Sequence, residues 1–148
     1  MTTISARDDA LVTTFGRLLE AQSILERRLG AELEARCRLP LAWFEVLVRL
    51  ARSEGEQLTM SSLAGQVSLT TSGVTRLADR MANAGLIERV PCATDRRVSY
   101  VRLTGPGRAK LDEALPVHAA NLREAFAGFG DADLDDLDAL LDRLRVGA

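Results

Sequence analysis

A mainly α-helical fold carrying one small β-hairpin is what this sequence predicts, on three observations. Apolar residues recur at steps of three and four through most of the chain. Two short β-prone runs, residues 86–90 and 98–103, stand between helical segments, and the second alternates Val98, Tyr100 and Arg102 with Ser99, Val101 and Leu103. The segment just before them reads as a short helix with a polar front, stopped at Gly85, where a helix commonly ends in the left-handed conformation.

The elements follow in order. Residues 8–36 form one long helix, because Leu11, Phe15, Leu18, Gln22, Leu25, Leu29 and Leu33 make a single stripe interrupted only by the glutamine. At 1.5 Å per residue this helix is about 40 Å long. That exceeds what a small core needs, so part of the stripe is expected to face a partner subunit. Pro40 punctuates it, and a second helix over 41–52 sets Trp43, Leu47 and Leu50 on one side. Residues 53–56 are a turn. Thr59 caps a third helix over 60–67.

Ser68 and Leu69 make a tight link, and Thr70 or Thr71 caps the fourth helix. In it Val74, Leu77 and Met81 face inward, while Thr71, Ser72, Thr75, Arg76, Asp79 and Arg80 take the outer face. The stretch PCATDRR at 91–97 is too polar and too long for a minimal hairpin loop. Thr104 caps a fifth helix, which tolerates Pro106 in its first turn but should kink or break at Pro116. Residues 128–130 end it. Asp131 caps a last helix with Leu134, Leu137, Leu140, Leu141 and Leu144 inward, and its acidic first turn suits the helix dipole.

Composition bounds the function. The chain has 148 residues, 47% of them hydrophobic and 27% charged, as in a globular protein with a real core. No apolar run approaches the length of a membrane span, and the first residues lack the apolar stretch of a signal peptide, so no membrane association and a cytoplasmic location are expected. Cys37 and Cys92 make no disulfide framework, and with one histidine they cannot supply a four-ligand zinc site. No metal and no cofactor are expected. An enzyme is disfavoured because no nucleophile–base pair and no Gly-rich phosphate loop can be assembled.

The net charge of −2 misleads until it is divided along the chain. Residues 71–110 hold 8 basic and 3 acidic side chains, whereas residues 111–148 hold 3 basic and 9 acidic. Binding of a polyanion depends on the field at the contact surface, so the middle third is the candidate nucleic-acid face. Lys110 is the only lysine among 19 basic residues. Arginine suits bidentate contacts to phosphates and bases, although GC-rich coding alone also yields that bias.

Helix, short link, helix and hairpin make a winged helix-turn-helix. The stretch LTMSSLAGQVSLTTSGVTRLADRMANAGLIER, the triplet Asp95-Arg96-Arg97 (pattern D-x-R) and Val101-Arg102-Leu103-Thr104-Gly105-Pro106-Gly107 (pattern V-x-LT-x-x-G) together resemble the MarR family of bacterial transcription regulators. The resemblance covers nearly the whole chain. It implies a single domain over 1–148, with a winged-helix DNA-binding lobe at 41–103 flanked by N- and C-terminal dimerisation helices at 1–36 and 104–148.

By that resemblance the fourth helix enters the major groove of double-stranded DNA. Thr71, Ser72 and Thr75 then reach phosphates or base edges, Arg76 meets a phosphate or a guanine, and Arg80 meets backbone. Arg97 enters the minor groove beside Arg96, and Asp95 holds the wing's geometry without touching DNA. A solvated arginine face is the plainer reading of the same residues, most of all for Arg96 and Arg102. The family also implies a homodimer on a pseudo-palindromic operator, usually as a repressor, and release by a small, often aromatic and anionic, effector.

Trp43, Leu47 and His118 are the candidate ligand residues, each with a plain core reading beside it. Two alternatives stay open. One is a thiol-based redox regulator using Cys92, whose pKa the nearby Arg89, Arg96 and Arg97 could lower. The other is a winged-helix protein–protein interaction module that binds no DNA.

Overall fold

The structure, a computed structural model, describes residues 2–67 and 71–147, with the side chains of Thr71 and Ser72 outside the description. The capping position at Thr70 or Thr71 and the link at Ser68 and Leu69 therefore lie outside the described residues. The order is α1 (Ala6–Cys37), α2 (Leu41–Ala51), a single 3-10 turn (Glu54–Glu56), β1 (Gln57–Thr59), α3 (Met60–Gln66), α4 (Thr71–Asn83), β2 (Ile87–Pro91), β3 (Ser99–Leu103), α5 (Gly105–Ala125) and α6 (Asp131–Gly147).

Local chemistry sets the ends of these elements. Ser5 caps α1 by accepting the Asp8 N–H at 3.1 Å, and Asp8 and Asp9 face the positive end of the helix dipole. Thr59 caps α3 by accepting the Ser62 N–H, also at 3.1 Å. Helix α4 ends in a Schellman turn: Leu86 N–H donates to the Met81 carbonyl and Gly85 N–H to that of Ala82, with Gly85 at φ +80°.

The predicted hairpin is part of a three-stranded antiparallel sheet in the order β1-β3-β2. Strand β1, absent from the sequence reading, pairs Gln57 with Arg102 and Thr59 with Tyr100. Three residues are too few to show a period-two pattern, and the strand exists through its pairing with β3. On β3 the alternation puts Val101 and Leu103 into the core and leaves Arg102 opposite Glu88 on the outer face.

One core joins these elements. Leu33 and Cys37 of α1, Phe44, Leu47 and Leu50 of α2, Leu63 of α3, Val74, Ala78 and Met81 of α4, Ile87, Val101 and Leu103 of the sheet, and Leu111 and Ala114 of α5 pack together. The inward assignments for Val74, Leu77 and Met81 hold, since all three are buried.

Three expectations need correction. Helix α5 runs unbroken through Pro116. Proline costs it the bond to the Asp112 carbonyl, but both residues lie on the exposed face, which is open to water. Asp131 is the first residue of α6, and it is Asp133 whose carboxylate accepts the Gly130 N–H at 3.0 Å. The leucines of α6 do not face inward within one subunit: Leu134 and Leu137 are half-buried, and Leu140, Leu141 and Leu144 are exposed. Among the described residues nothing buries the later part of that face. The first half of α1 is in the same position, with Leu11, Val12, Phe15 and Leu19 all more than half exposed.

Candidate nucleic-acid interface

Helix α4 sorts its residues by period. With Val74, Leu77, Ala78 and Met81 buried, Arg76, Asp79 and Arg80 stand on the exposed side. Thr75, assigned to the outer face, is half-buried at the edge of that face. The side chains of Thr71 and Ser72 lie outside the described residues.

The wing grows from β2 and β3. Pairing continues beyond the predicted strands through Pro91 opposite Ser99, and Cys92 N–H donates to the Val98 carbonyl at 3.1 Å. The loop expected over 91–97 therefore narrows to a tip of Ala93, Thr94, Asp95, Arg96 and Arg97. Inside the tip Val98 N–H donates to the Asp95 carbonyl at 3.1 Å, while one Asp95 carboxylate oxygen accepts both the backbone N–H and the Nε–H of Arg97. The Asp95 carboxylate thus ties the turn together at the tip.

The eight basic residues of the middle third are not equivalent. Arg89 is bound to Asp79 at 2.9 Å, Arg102 to its cross-strand partner Glu88 at 2.8 Å, Arg108 to Glu56, and Lys110 to Glu113 at 3.3 Å. Arg97 pairs with Asp95 yet is 91% exposed. Among the described residues Arg76, Arg80 and Arg96 have no ion pair, and all three are exposed. Within residues 71–110 the arginines without an ion pair among the described residues thus stand on the outer face of α4 and at the tip of the wing, with the exposed Arg97 beside them. Arg102 fits the plainer reading of a surface ion pair.

The Asp79–Arg89 pair escaped the sequence reading. It ties α4 to β2 across ten residues, and opposite charges that far apart in sequence signal nothing until the Gly85 turn folds them together.

A cleft of about 360 Å³ opens between α2 and α5, lined among others by Phe44, Val48, Arg49, Arg52, Leu115 and His118. The His118 ring lies 4.6 Å from that of Phe44 at a tilt of 51°. Its Nδ1 is buried without a partner among the described residues. Burial lowers the His118 pKa from its ordinary value, against an opposing pull from Glu45, so the ring is neutral at pH 7. Of the three candidate ligand residues only His118 lines this cleft. Leu47 is fully buried in the core, and Trp43 is half-buried against that core outside the cleft. Phe44, next to Trp43, and Arg49, two residues after Leu47, line it instead because α2 presents them to α5.

The thiols stand apart. Cys37 is buried, while Cys92 is half-buried with Sγ 3.3 Å from the Thr94 hydroxyl. The Cys92 pKa is lowered, but by hydrogen bonds from the Thr94 side chain and the Thr94 and Asp95 backbone, not by the arginines, while burial and the Asp95 charge oppose them. No helix among the described residues is long and apolar enough to cross a membrane.

Residues 39–98 match the family model described as MarR family. The chain is 26% identical over 131 residues to the HTH-type transcriptional regulator PecS of Dickeya dadantii, an alignment covering 88% of this chain and 78% of PecS. Against three further curated relatives it spans 57–64% of their length. The crystal structure of AbsC, a MarR family transcriptional regulator from Streptomyces coelicolor, superposes with a TM-score of 0.82 at 28% identity, covering 99% of this chain and 97% of AbsC. Sco3205 from the same organism, also a MarR family regulator and solved in complex with DNA, shares the fold with a TM-score of 0.84 at 24% identity, over 99% of this chain and 91% of Sco3205.

Proposed function

We propose, since this chain belongs to the MarR family of DNA-binding transcription regulators, that it acts as a homodimeric repressor on a pseudo-palindromic operator and is released by a small effector. The observation that carries this reading is the placement of available charge. Arg76 and Arg80 project from α4, and Arg96 and Arg97 from the wing tip, while four other basic side chains of the same segment are engaged by carboxylates. Two arginine sets on two elements suit two grooves. Helix α4 reads the major groove with Arg76, Thr75, Thr71 and Ser72, and Arg80 follows the backbone. Arg97 enters the minor groove, where the negative potential favours guanidinium, and Arg96 supports it.

A lobe over 41–103 then binds DNA, and 1–36 with 104–148 dimerise. The apolar faces of α1 and α6 support the dimer, since Leu11, Phe15, Leu140 and Leu144 are each more than half exposed in one subunit. A hollow of about 400 Å³ on α6, lined by Leu140, Arg143, Leu144 and Gly147, belongs to that surface. Two-fold symmetry places the half-sites about one helical turn apart, roughly 10 bp. The acidic segment 111–148 lies on the dimerisation side, away from phosphates, in this reading.

The α2–α5 cleft is the effector site proposed here. Its apolar and aromatic walls, with Arg49 and Arg52 against the single carboxylate of Glu45 in the lining, suit a small aromatic anion. A nuclease footprint on the DNA upstream of the protein's own gene tests the proposal. Two protected half-sites related by a dyad are expected; absence of protection at low salt favours the interaction-module reading.

A further inference from the structure

Helix α5 touches both functional regions of the chain. Its middle supplies Leu115 and His118 to the cleft. Its first turn meets the end of α4. The Thr104 hydroxyl donates to the Gly85 carbonyl at 2.6 Å while accepting the Gly107 N–H at 3.1 Å. Thr104 N–H donates to the Leu86 carbonyl at 3.3 Å. Gly107 packs so closely on this turn that a Cβ there would overlap the Leu86 carbonyl oxygen. Gly85 and Leu86 are themselves bonded back to Ala82 and Met81, the last turn of α4.

A helix cap alone needs only an acceptor. Ser5 and Thr59 cap α1 and α3 in that way, and their other hydroxyl contacts are local, to Asp8 and Ser61. Thr104 differs because its hydroxyl also donates across 19 residues to the turn that ends the reading helix. Asp79–Arg89 also joins α4 to β2. Besides its packing in the core, the C-terminal end of α4 is thus joined to a helix that also walls the cleft.

We propose that Thr104 is a positioning residue for operator recognition, a joint that makes α5 and α4 turn as one piece. This rests on the DNA-binding homodimer reading above. The spacing between the two reading helices of a dimer is then set by α5, and a change at the cleft reaches α4 through Thr104.

The test compares binding to the footprinted operator, to the same operator with one base pair inserted between half-sites, and to a shuffled duplex. Thr104→Val removes donor and acceptor while keeping shape, and Thr104→Ser keeps both. Thr104→Asp keeps a cap acceptor but cannot donate to Gly85, and it serves where the valine variant does not fold. Its added charge weakens all three duplexes alike, so the ratio still reports the joint.

Wild type and Thr104→Ser are expected to discriminate against the inserted base pair. In Thr104→Val or Thr104→Asp that discrimination shrinks by about fivefold or more, the range of an ordinary coupling between sites. A folded, dimeric Thr104→Val and Thr104→Asp with wild-type discrimination overturn the proposal. Wild-type protein that binds the operator no better than the shuffled duplex overturns the DNA-binding reading itself, a separate outcome.

Discussion

Asp95 and Arg97 are joined twice, through a single carboxylate oxygen that accepts the arginine's backbone N–H at 3.0 Å and its Nε–H at 3.3 Å. The backbone bond shapes the turn, and the side-chain bond aims a guanidinium that stays 91% exposed. The two residues therefore have separable roles. Arg97→Ala should weaken operator binding by roughly tenfold or more and lower the slope of log affinity against log salt by about one. Asp95→Asn should keep that slope, because no cation is lost, and weaken binding by a smaller factor. Fluorescence anisotropy at several salt concentrations separates the two, and an Arg97→Ala variant with wild-type affinity removes the wing from the interface.

Gly107 has no room for a side chain, with Leu86 carbonyl carbon and oxygen and Leu103 Cδ1 where a Cβ would lie. Gly107→Ala must push α5 off the Gly85 turn. Overpacking of this kind costs about 1–3 kcal/mol. Urea unfolding should show a lower midpoint for this variant, while Gly105→Ala, with open space around its Cα, leaves the midpoint little changed.

The exposed apolar faces of α1 and α6 predict that charge placed there breaks the dimer and leaves the core alone. Phe15→Glu and Leu144→Glu should each shift the species measured by light scattering toward monomer, with the folded signature of the 41–103 lobe retained by circular dichroism. Leu33→Glu, placed in the core, should instead unfold the chain, because an unpaired buried carboxylate has no compensation. Dimers that survive both surface substitutions at micromolar concentration place the interface elsewhere.

His118 links stability to pH. Its folded pKa lies below the ordinary 6.5, with desolvation as the main cause, so between the two values the unfolded chain binds more protons than the folded one. The stabilisation is complete above about pH 6.5 and falls as pH drops through the folded pKa. Wild type should lose stability between pH 7.5 and about 5.5 more steeply than His118→Gln, measured by thermal unfolding in matched buffers. Parallel curves for the two proteins contradict the assignment.

Local patterns carried much of this fold. The 3.6-residue period of α4, the Gly85 stop, the Thr59 and Thr104 caps and the β3 alternation are properties of adjacent residues, and each appears where the sequence places it. The misses depend on distant partners. Strand β1 exists because β3 lies beside it, and Asp79 meets Arg89 only after the chain reverses. The leucines of α6 have the right period but no surface within one subunit to bury them. For the cleft, helical period gave the face of α2 without its neighbour. Leu47 points to the core and Phe44 to His118, a distinction that needs α5 in place.

The proposed function places four arginines of α4 and the wing against a specific DNA site. Titrating the protein with its upstream operator and with a shuffled duplex, at about 50 and 200 mM salt, tests it most directly. A preference for the operator of at least about a thousandfold near physiological salt, with affinity for both duplexes falling steeply between the two salt concentrations, is the predicted result. Equal affinity for the two duplexes, or no binding at the lower salt, contradicts it.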